Sequence, residues 1–151
     1  MGSRREAREI AIQTLYALCL NSNEMTKDFA ESSKHINEKL SQIIDFNEKS
    51  FSNSQNEFCN FLISNIYQNL ESIDDLIKQF SEHWDIRRIS VMDKCILRMA
   101  IMEMKFTDTA GKIIINEAIE ISKKFCGEKS SKFINGILDA VMHSKEKNGK
   151  M

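Results

Sequence analysis

Apolar residues recur along this chain at helical spacing, and strict two-residue alternation is nowhere sustained. The densest apolar stretch is Val91–Met104, VMDKCILRMAIMEM. On a helical wheel only Lys94, Arg98 and Lys105 share a polar sector, roughly 40° wide at about 100° per residue. A helix apolar on almost every side is surrounded by other helices or by lipid. This stretch is too short for a bilayer, which takes roughly 20 apolar residues, so it is expected to be the central helix of a soluble bundle.

The same periodicity predicts the other elements. A first helix runs from about Arg4 to Asn21, with Ala7, Ile10, Ala11, Thr14, Leu15 and Leu18 inward. Phe29, Ile36, Leu40, Ile43 and Ile44 predict a helix from about Thr26 to Ile44, and the polar run Glu48–Asn56 predicts a loop. A third helix follows over about Glu57–Leu70, with Phe58, Phe61, Leu62, Ile66 and Leu70 inward. Ser72, followed by Asp74 and Asp75, resembles the capped start of another helix, whose inner stripe is Ile73, Leu76, Ile77, Phe80 and Trp84. Those two aspartates suit the positive end of a helix better than they suit acid–base chemistry. Past the central helix, Thr107–Lys112 is expected to be a turn and Ile113–Phe125 a helix stopped by Gly127. Ser130 is placed to cap a last helix carrying Phe133, Ile134, Ile137, Leu138, Val141 and Met142, and Lys145–Met151 is expected to be a frayed polar tail. The expectation is an all-α chain forming a single domain, with helical subdomains at about 4–85 and 86–144.

Composition agrees, since the 151 residues include no proline and only five glycines. The net charge of -1 says nothing about polyanions, but its distribution does. Residues 24–85 carry five lysines against twelve acids, whereas residues 86–151 carry thirteen basic groups against eight acids. Any polyanion would meet the basic ends rather than the acidic middle. An uneven but unselected surface charge is the alternative. The four cysteines are far apart, with no C-x-x-C, so buried free thiols in a reducing compartment are expected and a metal site is not. No signal peptide or membrane-spanning stretch is visible.

Arg5, Arg8, Ile12 and Tyr16 fall along one edge of the first helix. Two guanidiniums above an aromatic ring can neutralise phosphate and stack a base. Equally, Tyr16 can cap the core while the arginines are merely solvated. Catalytic chemistry is harder to place. His35, His83 and His143 are scattered, and no H-E-x-x-H, G-x-S-x-G, phosphate-cradling glycine loop or dinucleotide fingerprint occurs.

Three stretches together resemble the NusB family of bacterial transcription antitermination factors. They are RREAREIAIQTLY (Arg4–Tyr16), HWDIRRISVMDKCILRMAIMEM (His83–Met104) and INEAIEISKKFCGEKSSKFINGILD (Ile115–Asp139). They cover about half the chain, in the family's order and spacing. The resemblance implies two small three-helix bundles and no catalysis, cofactor or metal. It implies binding of boxA RNA together with the ribosomal protein NusE. That pair joins the elongating RNA polymerase complex with other Nus factors, in the cytoplasm and away from any membrane, and supports rRNA transcription.

On this resemblance Arg4, Arg5 and Arg8 match the family's N-terminal arginine-rich motif, and Tyr16 its following tyrosine. Lys132 and Phe133 match K-F-[IV]-N-G, with Lys129 and Ser130 at the same helix entrance, where N–H groups can hold a phosphate. In the family these two regions form the RNA face. Asn116, Glu117, Asn135 and Gly136 are expected to tie helices together, with Gly136 allowing close approach. Asp93, and exposed parts of its helix such as Glu103, are expected at the partner edge, and NusE is expected mainly on the second half.

The chain also departs from the family pattern. Glu6 stands where a basic residue is common, Lys129 where an acid is frequent, and Lys94 where arginine is usual, which loses a bidentate donor. Two other readings compete: a helical protein-interaction module without RNA binding, and an RNA-binding domain like the one preceding some RNA cytosine methyltransferases.

Overall fold

The computed structural model describes residues 2–21, 29–47, 51–81 and 88–147, and among them every regular element is an α-helix. The helices are α1 (Gly2–Asn21), α2 (Phe29–Phe46), α3 (Asn53–Gln68), α4 (Leu70–Phe80), α5 (Val91–Phe106), α6 (Gly111–Phe125) and α7 (Glu128–Lys147). They form two compact units, Met1–Gln68 and Asn69–Met151.

In the first unit α1, α2 and α3 pack against one another. The expected inner stripe of α1 is buried in full, and Ile12 joins it. On α3 the inward face is Cys59, Leu62, Ile63 and Ile66. Phe58 and Phe61, expected inside, lie on its rim, and Phe61 is 40% exposed. Their register explains this, because Phe61 falls well over a quarter-turn from the centre of the Cys59–Leu62–Ile66 stripe. The thiol of Cys59 donates to the Ala7 carbonyl at 3.0 Å, tying α3 to α1. Asn47 closes α2, its amide donating to the Ile43 carbonyl at 2.8 Å and to Gln13 Oε1 at 3.2 Å.

The expected loop Glu48–Asn56 is shorter than its composition suggests. Ser52 and Gln55 form a reciprocal capping box, with Gln55 N–H donating to Ser52 Oγ at 3.1 Å and Ser52 N–H to Gln55 Oε1 at 3.0 Å. This starts α3 four residues earlier than periodicity indicates.

In the second unit α5 packs against α4, α6 and α7. Ten of its sixteen residues are buried, including Ile96, Leu97, Met99 and Ile101. Ser90 caps it by accepting from the Asp93 N–H at 3.2 Å. The polar sector of α5 faces α4. There Arg98 makes a bidentate pair with Asp74, Nε to Oδ1 at 2.9 Å and Nη2 to Oδ2 at 3.0 Å, and Lys105 reaches Ser72 Oγ at 3.4 Å. These contacts group α4 with α5, so the units divide between Gln68 and Asn69 rather than near residue 85.

Several expected boundaries are corrected. Ser72 is no cap: α4 has already begun at Leu70, and the Ser72 hydroxyl donates back to the Asn69 carbonyl. Asp74 holds Arg98 instead of sitting in the first turn. Gly111 opens α6, and a Cβ there would lie 2.7 Å from Met142 Sδ, so this glycine permits the close packing of α6 on α7. Gly136, expected in that role, has open space around it. Gly127 ends α6 as expected, with a φ of 108°. Ser130 lies inside α7, which starts at Glu128. Lys145 belongs to α7 as well, and its ammonium donates to the Met104 carbonyl. Cys59 and Cys95 are buried free thiols as expected, but Cys19 and Cys126 are half-exposed. The expected positions of Thr26, His83 and Trp84, and of the Phe29 side chain, lie outside the described residues.

Replacing fully buried Leu97 with alanine should cost about 2–5 kcal/mol of stability, read as a lower midpoint in urea at unchanged slope. Ser52→Ala removes one half of the capping box and should cost about 1 kcal/mol, with loss of helicity confined to the start of α3 in amide hydrogen exchange.

Candidate nucleic-acid interface

The basic residues singled out in the sequence lie in two groups, one on each unit. On the first, α1 presents Arg4 and Arg5 to solvent. Arg8, one turn on, is only 5% exposed. Both Arg4 and Arg8 are held by Phe58, a ring whose spacing predicts a place in the core. The Arg4 guanidinium carbon sits 4.2 Å from the centroid of Phe58, and that of Arg8 sits 5.4 Å away. Cation–π attraction of this kind, worth about 0.5–2 kcal/mol, fixes guanidiniums that would otherwise sample many rotamers. The proposed exposed edge Arg5–Arg8–Ile12–Tyr16 is therefore broken: Ile12 is core, Arg8 is nearly so, and Tyr16 is half-buried. An exposed pair, Arg4 and Arg5, replaces it.

On the second unit, the start of α7 exposes Lys129 and Lys132, with Phe133 half-buried beside them. Helical spacing puts Lys129, Lys132 and Phe133 on one side of the helix. Beneath them lies a polar knot. The Ser130 hydroxyl donates to Asp93 Oδ2 at 3.2 Å. Ser131 donates to the Gly127 carbonyl at 3.0 Å and lies 2.7 Å from the Ser122 hydroxyl. Cys126 joins through its thiol: burial raises its pKa to about 11, and the carboxylate of Asp93 adds to the rise by charge and by accepting its hydrogen bond.

Asp93 and Glu103 are 8% and 2% exposed, so neither is an exposed part of the α5 surface. Asp93 instead anchors the α6–α7 junction to the start of α5. Asn116 and Asn135 are exposed rather than built into helix contacts. Among the described residues no group of three or more His, Cys, Asp or Glu could hold a metal, and no helix is long and apolar enough to cross a membrane.

The residues missed by sequence reasoning are Phe58 and Cys126. Phe58 could have been found from its register, since it neighbours Cys59 yet falls at the edge of the Leu62–Ile66 face. Cys126 carries no such signal, because its contact with Asp93 joins residues 33 positions apart.

The model of the NusB family matches residues 5–143. The chain belongs to the NusB family. A transcription antitermination protein NusB from Nitratiruptor is 40% identical over 150 residues, which cover 99% of this chain and 97% of the relative. The structure of NusB from T. maritima superposes with a TM-score of 0.77 at 33% identity, covering 93% of this chain and 90% of that one. A chain in the crystal structure of the antitermination factors NusB and NusE in complex with dsRNA superposes with a TM-score of 0.75 at 23% identity, covering 95% of this chain and 98% of that one. The last likeness bears on the fold alone. The NusB family comprises transcription factors rather than enzymes, in keeping with a site made of cations, hydroxyls and rings.

The Cys126 assignment is open to a direct check. Its raised pKa keeps the thiol protonated, so at pH 8 it should alkylate more slowly than a free model thiol. Asp93→Asn removes the negative charge and should speed that reaction, measured on the Cys126 peptide by mass spectrometry. The sign of the linkage follows: the thiol's contribution to stability is complete below pH 9 and is lost as pH rises through about 11.

Proposed function

We propose that this protein is a transcription antitermination factor of the cytoplasm. It binds boxA RNA together with the ribosomal protein NusE and joins the elongating RNA polymerase complex with other Nus factors, supporting rRNA transcription. The observation that carries this reading is the family match over residues 5–143 in a chain that keeps its basic residues exposed at both matched motifs: Arg4 and Arg5 on α1, Lys129 and Lys132 on α7. The presence of NusE and dsRNA beside a protein of this fold supports the choice of partners.

The mechanism is assembly rather than bond chemistry. Each arginine or lysine that meets a phosphate releases condensed counterions, which favours association and makes it salt-dependent. A few such contacts give weak binding. Because both groups belong to one chain, RNA held by one group is offered to the other at high effective concentration. NusE adds a further tethered surface. Ser130 contributes chiefly by positioning, since its hydroxyl already donates to Asp93. With Asp93 and Glu103 buried, NusE would have to meet other residues of the second unit. A pure protein-interaction module would have no need of four exposed cations in these two motifs, and nothing observed favours the methyltransferase-like reading.

Titration of boxA RNA at several salt concentrations, with and without NusE, tests the reading. Arg5→Ala should weaken binding to all RNAs alike and lower the single-strand salt slope by roughly 0.7. Phe133→Ala should cost about 1–3 kcal/mol of boxA binding at nearly unchanged slope if a base stacks on the ring. A Phe133→Ala protein that melts lower yet binds normally would remove Phe133 from the site, and a wild-type protein that binds no RNA under either condition would refute the proposal.

A further inference from the structure

Two phenylalanine rings on the first unit face solvent without belonging to either motif, Phe46 on α2 and Phe61 on α3, and only Phe61 shares a helix edge with the arginine-holding Phe58. Phe61 lies on α3 with 40% of its surface exposed, while the three other apolar residues of its turn, Cys59, Leu62 and Ile63, are fully buried. Phe58 precedes it by three positions, so the two rings occupy neighbouring places along one edge of the helix. That edge lies beside α1, as the placement of Arg4 and Arg8 against Phe58 demonstrates. Within the first unit the edge therefore runs from exposed Arg4, through a ring that holds two guanidiniums, to an exposed ring.

The chemistry of this order is specific. Exposing an aromatic ring costs hydrophobic free energy that burial would recover, so an exposed phenylalanine beside cations suits a ligand that brings its own π-face and negative charge. Single-stranded nucleic acid has both, in alternation along its length. A protein partner would more often be met by an apolar patch with a neutral rim. Here Arg4 stands over the neighbouring Phe58 ring, and Glu57 is alone among the charged residues of α3. Against the exposed Arg4 and Arg5 of α1 stand Glu57 and the half-exposed Glu6.

We propose that RNA bound at the α1 arginines continues across α3, where a base stacks on Phe61 while Arg4, steadied by Phe58, meets the adjoining phosphate. This assigns α3 to the RNA surface, which neither matched motif includes. It rests on the RNA-binding reading above and adds a stacking platform to it. Stacking tolerates any base, so Phe61 adds affinity without sequence preference.

The test uses the full chain and a short single-stranded RNA containing boxA, titrated at several salt concentrations. Phe61→Ala should weaken binding about ten- to a hundredfold and leave the salt slope unchanged, since no phosphate contact is lost. Phe61→Leu keeps apolar bulk without the ring and should lose affinity similarly, which preserves the test if the alanine variant folds poorly. Phe61→Trp should retain affinity, and RNA should quench its added indole emission beyond any change in the wild type, whose one tryptophan is Trp84. If both Phe61→Ala and Phe61→Leu bind as the wild type does while Arg5→Ala loses affinity, the α3 platform is wrong and the RNA-binding function stands. If those variants bind RNA normally but lose affinity for NusE, the ring serves a protein partner and the proposal is overturned. Failure of the wild type to bind RNA at all would overturn both.

Discussion

The second unit depends on burying a helix that has almost no polar face. Ten of the sixteen residues of α5 are removed from solvent, and α4, α6 and α7 are the surfaces that cover it. Apolar burial alone has no direction, so a helix of this kind could rotate about its axis with little loss. Arg98 prevents this. Its two hydrogen bonds to Asp74 demand one rotation and one depth of α5 against α4, because the guanidinium fork and the carboxylate must be coplanar. Both side chains are largely shielded, so losing either partner would strand a charge in a poorly solvated place. The pair thus contributes register more than net stability.

A fixed α5 in turn fixes the start of α7. Asp93 sits in the first turn of α5 and accepts from Ser130, while the carbonyl of Ser122 accepts the N–H groups of both Cys126 and Gly127. Only glycine adopts the φ of 108° at position 127 without strain, so the reversal from α6 to α7 is tight and specific. Lys129 and Lys132 are then displayed from a short, hydrogen-bonded corner rather than from a loose loop. A cation placed in advance loses less conformational freedom when it meets a phosphate, which matters when each contact is weak.

Periodicity was sufficient to reveal the helices, the central place of α5 and the inner faces of α1 and α7, because each depends on apolar residues repeating within one element. It failed where a polar interaction outweighed the pattern. Ser52 and Gln55 form an S-x-x-Q capping box that was visible in the sequence but hidden among other serines and asparagines in a run that looked like loop. Ser72 shows the opposite error: it had the residue type of a cap but lay inside a helix already begun at Leu70. At the candidate site Arg4, Arg5, Lys129 and Lys132 are exposed, whereas Arg8, Asp93 and Glu103 are buried. Burial of a charged residue requires a partner from another element, and a wheel drawn for one helix cannot contain it.

Arg8 shows what that burial does for function. It lies one turn from Arg4, and both guanidiniums are near the same Phe58 ring. Arg8 is too covered to neutralise a phosphate freely, and the Phe58 ring lies against its guanidinium. The positive potential of α1 at its surface comes from the exposed Arg4 and Arg5. Glu6, on the same helix and half-exposed, opposes that potential. The balance between the exposed arginines and this glutamate sets how strongly α1 attracts a polyanion, and a net charge of -1 on the whole chain conceals it.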